Sequence, residues 1–419
     1  MQKASQALVS MASSSSIEGF GVPQEVVATE RSAQTGGSPR LLLCVPSLPE
    51  NVLSGLLADL ATVFRQDEVL IASPDLEEPE SARALPLTIF DGTRVRSDWV
   101  LTAGDYMAAN ELAQRHDAAH VLLLGADVCA LPAAAIREMA DKIAGGVDLI
   151  VPAYSLGAHD GLVTSAFLYP LTRSLFAANI RFPLPMDVGM SRRMTERMAA
   201  VAQRQTASQS DALLWPVAET ATAAFSARQV DCDAPSPPAP ATSDFNTLFV
   251  SVAGGIFADI EAKASFWQRS RGPAVPLREA RPMQQTESSD LAEEVPGMVE
   301  AFRLAHRNLQ EIWALALPPQ SLLALKKLSI AEPAAFTIAP ALWARLVYDF
   351  ALAFHLRSLN RGHLLGAFTP VYLAWVASTL RTATDDASAA AHREETAAAF
   401  EREKPYLVAR WRWPDRFNP

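Results

Sequence analysis

Cysteine is nearly absent: Cys44, Cys129 and Cys232 are the only three in 419 residues. Three thiols cannot frame a disulfide-stapled fold of this length, so stability has to come from apolar burial. Two of them sit in or beside predicted strands and read as small core residues, and such sparse usage suits a reducing, cytoplasmic compartment. Long hydrophobic runs are missing too. Residues 41–45 and 122–124 are apolar but far shorter than the roughly 18 residues of a membrane span, so no span is expected. Positive charge is in deficit, with 36 Lys and Arg against 46 Asp and Glu. A net charge of -10 sets aside nucleic-acid binding, which needs clustered cations. The first residues lack the basic patch and apolar core of a signal peptide; residues 11–16 are a polar tract. No repeat of solenoid length is present.

What is there is an ordinary globular composition, 49% hydrophobic, in a chain long enough for two domains. Residues 1–38, rich in Ser, Ala, Gly and Gln without a sustained period, read as a disordered tail. The pattern then changes. Short apolar runs at 40–45, 68–73, 85–90, 120–127 and 147–151 read as strands. Between them lie helical patterns, one of them capped by Asn51 with Val52, Leu56, Leu57, Leu60, Val63 and Phe64 on its apolar face. Another covers 101–115, and a third opens at Pro132 and stops at Gly145-Gly146. Alternation of this kind predicts an α/β fold with a mostly parallel sheet covered on both faces.

Residues 231–243, with Pro235, Pro237, Pro238 and Pro240, read as an extended loop. Beyond it the chain is nearly all helical in pattern, with apolar stripes at 245–260, 299–317, 342–356, 364–380 and 387–408. The expected organisation is a tail (1–38), an α/β domain (39–243) and a C-terminal helical domain (244–419), the last a candidate oligomer surface.

The chemistry-bearing residues gather at predicted strand ends. The run His120-Val121-Leu122-Leu123-Leu124-Gly125-Ala126-Asp127 delivers a carboxylate to the carboxyl edge of a parallel sheet, where α/β folds bind ligands. His116 and His120 stand four apart, a spacing that puts two imidazoles on one helix face, with no third ligand nearby. Asp187 precedes a helical pattern at 188–201 and fits an N-cap as well as a functional carboxylate.

Several blocks resemble bacterial GT-A glycosyltransferases of the mannosylglycerate synthase and glucosyl-3-phosphoglycerate synthase group. They are Leu149-Ile150-Val151-Pro152-Ala153-Tyr154, Asp160-Gly161-Leu162-Val163-Thr164 and Met186-Asp187-Val188-Gly189-Met190-Ser191. Further along come Val347-Tyr348-Asp349-Phe350, Thr369-Pro370-Val371-Tyr372-Leu373 and Phe400-Glu401-Arg402-Glu403-Lys404-Pro405-Tyr406. The resemblance implies a GT-A, Rossmann-like nucleotide-sugar-binding sheet and retaining transfer of a hexose from a nucleotide-diphosphate sugar to a small acceptor. It also implies a divalent metal, Mg or Mn, against the diphosphate.

Carried over residue by residue, the resemblance assigns donor binding to Pro46, Ser47, Glu50 and Asp75. It assigns acceptor binding to Thr164, with His159 beside it, and the metal to Asp127. Asp187 becomes the catalytic candidate, near the sugar or the attacking hydroxyl. Four departures run in one direction. Gly125 stands where relatives carry the first metal aspartate. Ala103-Gly104-Asp105 lacks the phosphate lysine and brings an acid that would repel a diphosphate. Leu156 replaces an acceptor-binding arginine, and no histidine lies near Pro237. Metal binding is therefore expected to be weak or absent. Two readings stay open: a glycosyltransferase with an altered donor and metal site, or an inactive paralogue with a binding or regulatory role.

Overall fold

The strands read as unbroken apolar runs because they are covered on both faces. The computed structural model describes residues 41–74, 85–89, 100–125, 128, 131–206, 212–235, 245–270 and 291–414. Strand β1 is Leu41–Cys44, buried at every position, followed by helix α1, Glu50–Ala61. Then come β2 (Val69–Ser73), β3 (Leu87–Ile89), α2 (Ala103–Arg115), β4 (His120–Leu123), α3 (Ala133–Ala144) and β5 (Leu149–Ser155). A π-helical turn, Thr164–Leu168, runs into α4 (Tyr169–Phe176), and β6 (Val188–Ser191), α5 (Arg192–Thr206), α6 (Pro216–Ala223) and β7 (Ala227–Pro235) complete this part.

The seven strands form one sheet in the order β3-β2-β1-β4-β6-β5-β7. All pairings are parallel except those of β6, which runs antiparallel to both β4 and β5. The sheet is thus mostly parallel, as the alternation of patterns predicts.

Three local expectations give way to tertiary structure. Helix α1 starts one residue before Asn51, with Pro49 at the cap (φ -55°), a proline angle already suited to helix entry. Asp187 caps no helix. Residues Val188–Ser191 pair with strands on both sides, so the helix begins only at Arg192. Gly189 lets β6 into this crowded slot, because a Cβ there would overlap Ile143 and come within 2.7 Å of Leu122 Cδ2. The segment expected to be loop from 231 is strand as far as Pro235. It lies in β7 at the sheet edge, where a proline leaves no ladder partner unserved. Residues 236–244 lie outside the described ones.

The remaining helices are α7 (Phe245–Ala262), α8 (Ala264–Trp267), α9 (Leu291–Asn308), α10 (Gln310–Ala316), α11 (Pro319–Ser329), α12 (Pro340–Leu356), α13 (Arg361–Thr382) and α14 (Asp386–Arg412). Residues 37–419 form one compact unit, so these helices are a layer built onto the sheet half. Trp343 of α12, fully buried, donates its indole N–H to the Ala166 carbonyl in the π-helical turn (2.7 Å). Tyr348 hydroxyl donates to the Phe400 carbonyl (2.8 Å) and lies 3.0 Å from Ser174 Oγ of α4. Buried Arg173 of α4 forks onto Glu401 of α14 through Nε and Nη2, both at 3.1 Å, and also meets Glu394. Fork geometry suits guanidinium and carboxylate planes, and it fixes the register of α14 on α4.

Helices α7 and α13 each reach a mean hydropathy of 1.2 over eighteen residues, long and apolar enough to cross a membrane by composition alone. In the fold they face each other: Phe249 of α7 packs on Tyr372 of α13 at 4.6 Å between rings, and Phe257 on Phe368 at 5.8 Å.

Candidate active site at the carboxyl edge of the sheet

The chain leaves β1 toward β2 on one side and returns to β4 on the other. The reversal falls at β1 and β4, and beyond the carboxyl ends of such a pair is the usual ligand position in these sheets. Pro46 and Ser47 follow β1 directly, Pro46 buried and Ser47 exposed, and Glu50 is exposed in the first turn of α1. Gly125 follows β4. Asp187 lies at the same edge, because Val188 pairs with Leu123 in the antiparallel ladder. His159 and Thr164 follow the carboxyl end of β5, both partly exposed, with Thr164 opening the π-helical turn. Six of the eight sequence-derived candidates therefore sit along one edge. Asp75 and Asp127 lie outside the described residues.

The edge has one tightly built point. Asp187 is only 3% exposed. Its Oδ1 accepts the Gly125 N–H at 2.8 Å, and its Oδ2 accepts the Tyr154 hydroxyl. Tyr154, from β5, is itself buried and meets Phe182 edge-on at 5.2 Å. Asp187 thus joins the ends of β4, β5 and β6. A turn that close leaves no room at position 125. A Cβ there would lie inside contact distance of the Met186 carbonyl oxygen and 3.3 Å from its carbon. Glycine is required by this close backbone approach.

Asp105 has a different role from the one its sequence position implies. It is 1% exposed and turned inward, accepting the Thr102 N–H at 2.6 Å and the Thr102 hydroxyl at 2.8 Å. This is a capping box at the start of α2. Burial raises the Asp105 carboxyl above its ordinary value despite the Thr102 donors. Burial, with Asp105 nearby, also pushes the Cys44 thiol up to about 12, so Cys44 is an inert core residue. The Ala103 N–H is taken by the Ala212 carbonyl at 2.9 Å, and Thr102 bridges to Leu213. The α2 N-terminus is therefore occupied by its own carboxylate and by the 212–213 segment.

Beside the Thr164 turn lies a cavity of about 20 Å³, lined among others by Asp160, Ser165, Trp375, Thr379, His392 and Arg393. That is room for about one water. Arg393 Nη1 donates to the Gly157 carbonyl (3.1 Å), tying α14 to the loop that carries His159. His392 stacks on Trp375 at 5.2 Å, and its burial lowers the imidazole below its ordinary value. His116 ends α2 while His120 opens β4, so they share no helix face. Among the described residues no group of three His, Cys, Asp or Glu is placed to hold a metal.

No protein-family model matches the chain, and no curated protein matches it. Among solved structures it is similar to the glucosyl-3-phosphoglycerate synthase of Mycobacterium tuberculosis. The complex with uridine diphosphate matches at a TM-score of 0.34 and 11% identity, over 53% of this chain and 79% of that one. The complex with phosphoglyceric acid gives 0.34 and 12%, over 59% and 88%. The complex with Mg2+ and uridine diphosphate gives 0.34 and 12%, over 53% and 78%. At such identity the site is decided by this chain's own residues.

Tyr154 is the site residue that sequence reasoning misses. It lies within an apolar strand run and carries no local signal. Thr102 and Asp105 did carry one, since Thr-x-x-Asp before an apolar helix is a capping pattern. Tyr154→Phe removes a donor from a buried carboxylate and is expected to cost about 1–3 kcal/mol. Urea unfolding measures this, and an unchanged midpoint would mean that the hydroxyl does not hold Asp187.

Proposed function

We propose that the chain is a glycosyltransferase of the GT-A type, transferring a hexose from a nucleotide-diphosphate sugar to a small acceptor with retention. What supports the reading is one observation: three separate blocks carrying the family resemblance bring Tyr154, Thr164 and Asp187 to the carboxyl edge beyond β1 and β4. In this reading Pro46, Ser47 and Glu50 line the donor side, and Thr164 and His159 the acceptor side. Asp187 enters as a positioning residue. It is 3% exposed and both of its oxygens hold protein donors, so in this reading its influence on transfer runs through the Gly125 turn.

A second reading, an inactive paralogue that kept the fold for binding or regulation, draws on the occupied α2 N-terminus, where Asp105 and Ala212 take the backbone donors an anion would use. Calorimetry with UDP-glucose and GDP-mannose, with and without Mn2+, separates the two. The enzyme reading expects a dissociation constant in the tens of micromolar or tighter, roughly -6 kcal/mol or better. Absence of heat with either sugar nucleotide, on protein shown folded by circular dichroism, would sink it.

A further inference from the structure

The small cavity between the loop after β5, helix α13 and helix α14 adjoins both acceptor-side candidates. We infer that it seats one uncharged hydroxyl group of the acceptor, so that the acceptor is a neutral polyol and not an acid. The inference rests on the glycosyltransferase reading above.

Position comes first. His159 stands between Ala158 and Asp160, which both line the cavity, and Thr164 precedes Ser165, which lines it too. The loop is built to hold this wall. Arg393 of α14 donates to the Gly157 carbonyl at 3.1 Å, and the Gly157 N–H donates to Asp160 Oδ2 at 2.9 Å. Gly161 turns the chain at φ +57°, a left-handed angle that favours glycine. Its carbonyl then accepts the Ser165 N–H at 2.8 Å.

The lining decides the chemistry. A cavity walled only by apolar groups stays dry. This one presents a carboxylate, hydroxyls, an imidazole and a guanidinium, from Asp160, Ser165, Thr379, His392 and Arg393. Thr379 Oγ1 lies 3.3 Å from His392 Nε2, and the His392 ring is stacked on Trp375. Burial, with Arg393 nearby and against Glu395, keeps that imidazole below its ordinary value. At neutral pH the ring is therefore neutral, one nitrogen a donor and the other an acceptor. A hydroxyl matches both roles, since it donates and accepts.

Charge and size exclude an acid. Arg393 is the only Lys or Arg among the described lining residues, and it already serves the Gly157 carbonyl. The Asp160 carboxylate would repel an anion. At about 20 Å³ the cavity takes one water or one hydroxyl, and neither a carboxylate nor a phosphate fits. A second hydroxyl must stay outside to receive the sugar. There the anomeric carbon gains a bond to the hydroxyl oxygen and loses its bond to the diphosphate oxygen. The hydroxyl proton leaves with the nucleoside diphosphate.

Nuclear magnetic resonance of full-length protein carrying isotope-labelled histidine tests this. Glycerol and glycerate are titrated in turn, with and without UDP, and the His392 signal is identified by its loss in His392→Gln. Glycerol is expected to shift that signal saturably, with half-saturation at about 10 mM or below, and glycerate to bind at least about tenfold more weakly. Thr379→Val keeps the side-chain volume and removes the hydroxyl, and Ser165→Val fills the space. Each is expected to weaken glycerol binding by about threefold or more, on protein shown folded by circular dichroism. The contrast between glycerol and glycerate in the unaltered protein decides the matter even where a variant does not fold. Glycerate binding as tight as glycerol, or no His392 response to either, overturns the inference. So does a glycerol response that the folded variants retain unchanged. Calorimetry with UDP-glucose keeps the two readings apart. UDP-glucose binding beside a silent glycerol titration overturns the inference and leaves the glycosyltransferase reading standing. A glycerol response without sugar-nucleotide binding keeps the cavity as a hydroxyl site and overturns its acceptor role.

Discussion

Asp148→Ala is expected to lower the unfolding free energy by about 3 kcal/mol at neutral pH, through buried donors left without an acceptor. Asp148 lies just before β5, at the sheet edge opposite the candidate site, and is 1% exposed. Its Oδ1 accepts Arg193 Nε at 2.5 Å and Ser191 Oγ at 2.9 Å. Its Oδ2 accepts Arg193 Nη2 at 2.5 Å, Ser226 N at 2.9 Å and Ser226 Oγ at 3.0 Å. One carboxylate thus holds the end of β6, the start of α5 and the turn into β7. Arg193 is well exposed and regains water when the pair is broken. The loss therefore falls mainly on the serine and backbone donors.

The same residue sets a pH dependence. Arg193 first, then the Ser226 and Ser191 donors, hold the Asp148 carboxyl well below the usual carboxylate range, against the opposing effect of burial. In the unfolded chain it returns to about 3.9. The unfolded state then binds more protons at acid pH, so the stabilisation is complete above about pH 4 and is lost as pH falls below it. Asp148→Asn should flatten that part of the acid limb. Urea unfolding from pH 3 to pH 7 measures both effects, and an Asp148→Asn protein with the wild-type acid slope would remove Asp148 as the cause.

Trp343→Ala is expected to cost about 3–5 kcal/mol, the range for a large aromatic removed from a packed core. Trp343 is fully buried, stacked on Trp375 at 5.1 Å and on Phe368 at 5.9 Å. It also carries the indole hydrogen bond to Ala166, so truncation leaves that carbonyl without this donor. Chemical denaturation gives the cost. Near-ultraviolet circular dichroism should lose intensity with the Trp343–Trp375 stack. Trp343→Phe keeps much of the volume and loses the N–H, so it is expected to fall between the two proteins. Since Ala166 sits in the π-helical turn that Thr164 opens, amide exchange there should quicken in Trp343→Ala while β1 and β2 stay protected.

Much of the fold was legible locally. Residues 41–44 and 69–73 announce buried strands by being apolar throughout, and the stripes from Phe245 onward announce helices by their period. The errors came where long-range pairing overrode a local signal. Asp187 before Val188 looks like a helix cap, yet β4 and β5 claim residues 188–191 as strand. Asp231 to Pro235 reads as loop because proline is a poor strand former, and edge placement in β7 removes the objection.

The site was legible as positions and not as roles. By itself the sequence determined which residues arrive at strand ends, that the chain carries few cations, and that Gly125 stands where an acid was expected. These are properties of single residues and their near neighbours. Only the tertiary structure decided that Gly125 faces the Met186 carbonyl, that Asp187 is spent on Gly125 and Tyr154, and that Asp105 caps α2. The first two join segments distant in the chain, and no periodicity or spacing records a contact of that kind. Asp105 shows the converse: its capping pattern is local, but whether its carboxylate turns inward or meets a ligand depends on how α2 is buried against β1 and the 212–213 segment.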